Sequence, residues 1–214
     1  MHDTQDFLRP AFGRDDLEML EREQLHQGFF RMERLHYRHR CYQGGWSGRV
    51  SREVLYRGEA VGAVLYDPQR DLIGLVEQAR PGALDDPNGP WCLEVVAGMI
   101  EAGEERDDVM RREMQEETGL QPQSLEYICQ YLASPGGCDE RLHVYCALVD
   151  LEGKDGIVSG LDHEGEDIRL LVMPASAVFE HLYGGRFNNA ATLIALQWLQ
   201  MNRPRLCQAT TAPA

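Results

Sequence analysis

Glu113, Glu116 and Glu117 stand at i, i+3 and i+4, a spacing that puts all three on one side of a helix. Three like charges so placed repel, and a hard divalent cation among them would offset the repulsion. Oxygen-only ligands of this kind suit Mg²⁺ or Mn²⁺ rather than zinc. Magnesium takes phosphate oxygens readily as its other ligands, so the pattern points to chemistry on a phosphate. An acidic helix face can equally be plain solvated surface, and spacing alone does not separate the two. The flanking residues add to the pattern. Gly98-Met-Ile-Glu-Ala-Gly-Glu104 is followed, after seven residues, by Arg112-Glu113-Met114-Gln115-Glu116-Glu117-Thr118-Gly119-Leu120. Gly98 and Gly119 would permit tight turns at the ends of a loop-helix-loop, and Arg112 can pair with Glu104 and neutralise part of the acid cluster.

The elements that must position these acids can be read around them. Residues 105–118 are predicted to be helical, ended by Gly119, with Asp107 and Asp108 at the positive end of the helix. Val109, Met110 and Met114 form the stripe that anchors it to a sheet. A short apolar strand over 91–96 leads into Gly98. Before it lie strands at 60–65 and 72–77 and a loop over 81–90, and after the helix come strands at 125–132, 142–149 and 168–173. An N-terminal β region is expected from Phe29-Phe30, 35–42 and 50–56, broken by Gly44-Gly45-Trp46-Ser47-Gly48. Residues 152–166, rich in glycine and acid, read as a mobile loop. Two helices follow, one over 175–183 and one beginning at Asn188 or Asn189 and burying Leu193, Ile194, Leu196 and Trp198. The expectation is an α/β (α+β) chain with an antiparallel β region over 1–57 and a catalytic domain over 58–205.

A chain of 214 residues can bury a substantial core without disulfides, and its six cysteines include no C-x-x-C pair. Reduced thiols in a cytoplasm are the simpler reading. Residues 1–12 lack an apolar signal-type core and no stretch is apolar enough to span a bilayer, so a soluble, cytoplasmic protein with no membrane partner is expected. A formal net charge of -14 repels a phosphate backbone and argues against nucleic acid as a partner.

The segment from Gly98 to Leu120 meets every fixed position of G-x5-E-x7-R-E-U-x-E-E-x-G-U, and so resembles the box of the Nudix hydrolases. The resemblance implies a mixed sheet between helices and Mg²⁺-dependent hydrolysis of a nucleoside diphosphate linked to another group, with Mn²⁺ left open as an alternative cation. It implies that Glu113, Glu117 and the backbone carbonyl of Ala97 hold metal, with Glu116 assisting and Arg112 supporting them.

Downstream, Ser134-Pro135-Gly136-Gly137-Cys138-Asp139-Glu140 places a proline sixteen residues after Gly119 and resembles the bacterial ADP-ribose pyrophosphatases of that family. A Pro-Gly-Gly run is by itself only a good turn. The likeness implies hydrolysis of ADP-ribose to AMP and ribose 5-phosphate. It assigns Ser134 and Glu140 to the substrate, with Glu140 accepting from ribose hydroxyls. It makes Glu164 the general base and Glu166 a further metal ligand, two roles that could be exchanged. By the same likeness Phe29 stacks on adenine, Arg52 and Arg80 reach the phosphates or terminal ribose, Met99 touches substrate, and N-terminal strands exchange within a homodimer. Another nucleoside diphosphate sugar such as GDP-mannose, or a non-catalytic ADP-ribose-sensing module, are the rival readings.

Overall fold

The computed structural model describes residues 8–209; the first seven residues of the expected 1–57 region lie outside the described residues. The chain divides into two compact units at Arg57 and Gly58, with Ser134–Glu140 belonging to the first.

In the first unit three strands, β1 (Leu17–Gln27), β2 (Arg31–His39) and β3 (Val50–Tyr56), form an antiparallel sheet in that order. The long β1 was not foreseen. Almost all of it is exposed, so it carries none of the in-out alternation that marks a half-buried strand. Phe29 and Phe30, expected as strand, are instead the turn between β1 and β2, where the Gly28 N–H donates to the Phe30 carbonyl at 2.9 Å. The segment Ser134–Glu140 runs beside β3: the Leu55 N–H donates to the Gly137 carbonyl at 2.9 Å and the Asp139 N–H to the Leu55 carbonyl at 3.1 Å.

The second unit is built on β4 (Glu59–Asp67), whose unbroken run from Ala60 to Tyr66 is buried on both faces, as the central strand of a covered sheet must be. Its neighbours are β5 (Leu72–Ala79), β6 (Trp91–Glu94), β7 (Val96–Met99), β8 (Ser124–Leu132), β9 (Arg141–Leu148), β10 (Val158–Ser159) and β11 (Ile168–Pro174). The order is β10-β11-β5-β4-β9-β8, with β6 on β5 and β7 on β4. β4 and β9 pair in parallel and the other pairs are antiparallel, so the sheet is mixed. Helices α2 (Ala175–Glu180) and α3 (Ala190–Ala209) cover one face over Val64, Tyr66, Leu75 and Val144. Helix α1 (Arg106–Thr118) covers the other, its Val109, Met110 and Met114 packing on Val61, Val96 and Leu170. This is the expected mixed sheet between helices.

Local departures have local causes. The apolar run at 91–96 is two strands, because at Val95 the chain leaves β5 and Val96 pairs with Ala63 of β4. The loop at 152–166 contains β10 and a 3-10 turn at Asp162–Glu164. Helix α2 ends at Glu180, short of 183, and α3 continues through Pro204 past 205. Among the described residues no helix is long and apolar enough to cross a membrane, and the six cysteines are free thiols.

Candidate active site

Helix α1 is held at both ends. Asp107 accepts a hydrogen bond from the Tyr145 hydroxyl at 2.9 Å, and Gly119, at φ 69°, closes the C-terminus in the left-handed conformation that glycine adopts without strain. The buried stripe turns Glu117 inward as well. It is 2 % exposed, and among the described residues its Oε2 has no hydrogen-bond partner. Burial drives its pKa up to about 9; the charges of Glu113 and Glu166 push the same way, while Arg80 and the Ala97 backbone N–H oppose them. Glu113 is raised to about 7, again chiefly by burial, with Arg112 pulling it down and Glu116 and Glu166 pushing it up.

Gly98 explains how Glu113 fits. A Cβ on Gly98 would lie 1.9 Å from both Cδ and Oε1 of Glu113. Gly98 is therefore a close-approach glycine in β7, paired with Val61, and the tight turn expected there is corrected to a strand.

Arg112 makes the expected ion pair with Glu104, at 3.8 Å, and lies nearer still to Glu113, at 2.8 Å, and Glu116, at 3.0 Å, because helical neighbours lie closer than a residue across the loop. Glu104 also accepts from the Glu101 N–H at 2.8 Å and closes the loop before α1. Among the described residues, no three acidic, histidine or cysteine side chains already converge as a cation cage. The residues nevertheless fit a hard divalent cation. Glu113 and Glu117 offer carboxylate oxygens, Glu117 Oε2 is orphaned, and a cation would favour the ionised state that burial opposes.

The loop after β10 is docked on α1. The Gly160 N–H donates to the Glu116 carbonyl at 3.2 Å, and the Leu161 N–H donates to Glu166 Oε2 at 3.1 Å. Glu166 is thereby held where its charge acts on both Glu113 and Glu117. Glu164, in the 3-10 turn, has a side chain 56 % exposed and 3.7 Å from His163 Nε2. The structure thus gathers Glu113, Glu116, Glu117, Arg112 and Glu166 and leaves Glu164 in solvent. Ala97 and Met99 flank Gly98 on β7, with Met99 exposed.

Arg80 follows β5, and its Nε donates to Glu94 at 2.6 Å. Both line a cavity of about 410 Å³ together with Asp86, Cys92, Asn188 and Asn189. Glu94 escaped the sequence reading, because its partner Arg80 lies 14 residues away in the chain.

The other substrate candidates lie in the first unit. Phe29 is 91 % exposed and meets Phe30 edge to face at 4.8 Å between centroids. The Arg57 guanidinium sits 4.9 Å over the Phe30 ring and 3.2 Å from Glu140. Ser134 is exposed, and its carbonyl accepts the N–H groups of Gly137 and Cys138. Arg52 is exposed, and its Nη1 donates to the Ser51 carbonyl at 2.7 Å.

A helix presenting buried carboxylates against a strand glycine, on a mixed sheet covered on both faces, offers hard-oxygen ligands of the kind a divalent cation takes. The NUDIX domain matches residues 56–194, and the chain belongs to that family. Among its relatives, the "ADP-ribose pyrophosphatase" of Escherichia coli (strain K12) is 43% identical over 201 residues, 94% of this chain and 96% of the relative. The protein of the same description from Haemophilus influenzae is 40% identical over 92% of both chains. A "GDP-mannose pyrophosphatase" of Cronobacter sakazakii is 28% identical over 87% of this chain and 96% of its own. The fold is that of a solved "ADP compounds hydrolase", with a TM-score of 0.68 at 20% identity over 90% of this chain and 98% of that one.

Proposed function

We propose that this protein is a Mg²⁺-dependent enzyme that hydrolyses the pyrophosphate of ADP-ribose to AMP and ribose 5-phosphate. The observation that carries the reaction class is Glu117, a buried carboxylate with an oxygen unpartnered among the described residues and acted on by the charges of Glu113 and Glu166. The substrate follows from the 43% and 40% identity to the two ADP-ribose pyrophosphatases, against 28% to the GDP-mannose pyrophosphatase.

Glu113, Glu117, Glu166 and the Ala97 carbonyl would hold the metal; Mn²⁺ suits the same ligands. Bound there, a divalent cation offsets negative charge on the pyrophosphate oxygens and acidifies the attacking water. Glu164 takes the proton from that water as its oxygen attacks phosphorus. One phosphoanhydride P–O bond breaks, and AMP and ribose 5-phosphate are released. Glu164 is exposed, 3.7 Å from His163, which suits a base on a loop that moves onto bound substrate. Arg112 compensates the charge of Glu113 and Glu116, and Glu116 also anchors the loop through its carbonyl. The substrate contacts in this reading are Phe29, Arg52, Arg80, Met99, Ser134 and Glu140. In this reading residues 1–57 form the dimerisation and adenine-pocket element of a cytoplasmic homodimer with exchanged N-terminal strands, and 58–205 the hydrolase domain.

The test is hydrolysis of purified ADP-ribose, GDP-mannose and other nucleotide sugars with Mg²⁺ and with chelator. ADP-ribose should be turned over fastest, giving AMP, and Glu117→Gln should lose on the order of 1,000-fold, a few kcal/mol of transition-state stabilisation. Equal or better turnover of GDP-mannose would overturn the substrate. Undiminished turnover with chelator would overturn the mechanism.

A further inference from the structure

At Val95 the chain leaves β5 and joins β4, and a backbone that changes partners inside a core exposes groups that need others. The start of α3 supplies them. The fully buried Thr192 hydroxyl accepts the Val95 N–H at 3.1 Å, and Asn189 Nδ2 donates to the Leu93 carbonyl at 3.1 Å. Asn189 Oδ1 in turn accepts the Thr192 N–H at 3.0 Å, so one side chain both caps α3 and grips the strand.

These two bonds hold the backbone one residue to either side of Glu94. The Glu94 carboxylate is only 16 % exposed and accepts from Arg80 Nε at 2.6 Å. The Arg80 backbone is fixed separately, its N–H donating to the Pro90 carbonyl at 2.8 Å. With main chain and guanidinium both anchored, Arg80 is a pre-organised cation, and its charge reaches Glu117. An arginine aimed in this way recognises a phosphate with little ordering left to do on binding.

We propose that Asn189 and Thr192 are positioning residues for substrate: by clamping Leu93 and Val95 they fix Glu94, and through Glu94 the guanidinium of Arg80. The inference rests on the reading of Arg80 as a substrate contact. It assigns the α3 N-terminus, on the opposite face of the sheet from α1, a part in phosphate binding.

Three variants separate positioning from mere packing. Thr192→Val keeps the shape and removes the acceptor, Thr192→Ser keeps the hydroxyl, and Asn189→Asp keeps the cap while removing the donor to Leu93. Thr192→Val and Asn189→Asp should raise KM for ADP-ribose roughly tenfold with a smaller change in kcat, and Thr192→Ser should retain most of the wild-type KM. In an Arg80→Ala background Thr192→Val should add little, since the contact it positions is already gone. A KM unchanged in Thr192→Val, or an undiminished effect in the Arg80→Ala background, would overturn the proposal.

A substrate-free reading comes from the ¹⁵N-detected Arg80 Nε–H signal. Its exchange with water should be slow in wild type and Thr192→Ser and fast in Thr192→Val; equal exchange in all three would overturn the positioning role. Should the wild type fail to hydrolyse ADP-ribose, the substrate reading falls, and the Arg80 signal still decides the clamp.

Discussion

At the scale of single residues, the site depends on atoms that are absent as much as on those present. Gly98 contributes the space that Glu113 occupies. The atoms a new Cβ would strike belong to the end of a flexible side chain, so Gly98→Ala can be accommodated by moving Glu113 off its position. The expected result is a thermal midpoint within a few degrees of wild type with activity lower by roughly 100-fold, the scale of effect when a metal ligand is misplaced. Parallel melting curves and initial rates would check it, and full activity would show that Glu113 need not stand where it does. The same carboxylates make stability depend on pH. Their folded values of about 7 and about 9 exceed the ordinary 4.5, so between those limits the folded chain binds more protons than the unfolded one. The stabilising contribution is complete below about 4.5 and is lost as pH rises through 7 and 9. Metal-free protein should therefore melt at progressively lower temperature from about pH 6 to about pH 9, and Mg²⁺ should raise the midpoint most at the alkaline end. A Mg²⁺ effect independent of pH would contradict the assignment of these carboxylates as ligands.

At the scale of elements, what the sequence revealed was decided by burial. Helix α1 was legible to within a residue, because its stripe, acidic first turn and closing glycine agree with one another. Strand β1 was not, because residues exposed on both sides leave no period to read. The break at Val95 was hidden by a continuous apolar run, since changing from one partner strand to another leaves composition untouched. In the site, Glu113, Glu116 and Glu117 were visible as a spacing. Glu94 and the clearance at Gly98 were not, because each acts on a residue distant in sequence. The loop acids are an intermediate case. Their types were readable, but which of them docks depends on Gly160, whose φ of 118° and 2.8 Å Cβ approach to Glu166 Cβ admit only glycine. Gly160→Ala should free the loop from α1 without unfolding the sheet. Amide exchange over 160–167 should accelerate and kcat should fall roughly ten- to a hundredfold, as expected for a catalytic acid displaced by about an ångström. Unchanged exchange would mean that the loop is held by something other than the Gly160 and Leu161 bonds.

At the scale of the whole molecule, a chain of net charge -14 binds an anionic substrate only through local cations and metal, so the placement of the candidate residues in two units matters. Ala97, Glu113, Glu117 and Arg80 lie in the second unit, and Phe29, Arg52 and Glu140 in the first. Under the proposed strand exchange, one subunit's first unit completes the site of its partner, and that arrangement has a genetic signature. Phe29→Ala should impair every site of its homodimer by removing the adenine stack, and Glu117→Gln should impair every site of its own by removing a ligand. In a heterodimer of the two, one site combines the intact carboxylates of the Phe29→Ala chain with the intact Phe29 of the Glu117→Gln chain, while the other site carries both defects. Mixed and refolded subunits should therefore recover activity toward about half of wild type per heterodimer, with each parent alone near background. If each site is built from a single chain, every site in the mixture bears a defect and nothing is recovered. A sedimentation mass near 24.3 kDa, that of one chain, would exclude the exchanged dimer before the mixing is attempted.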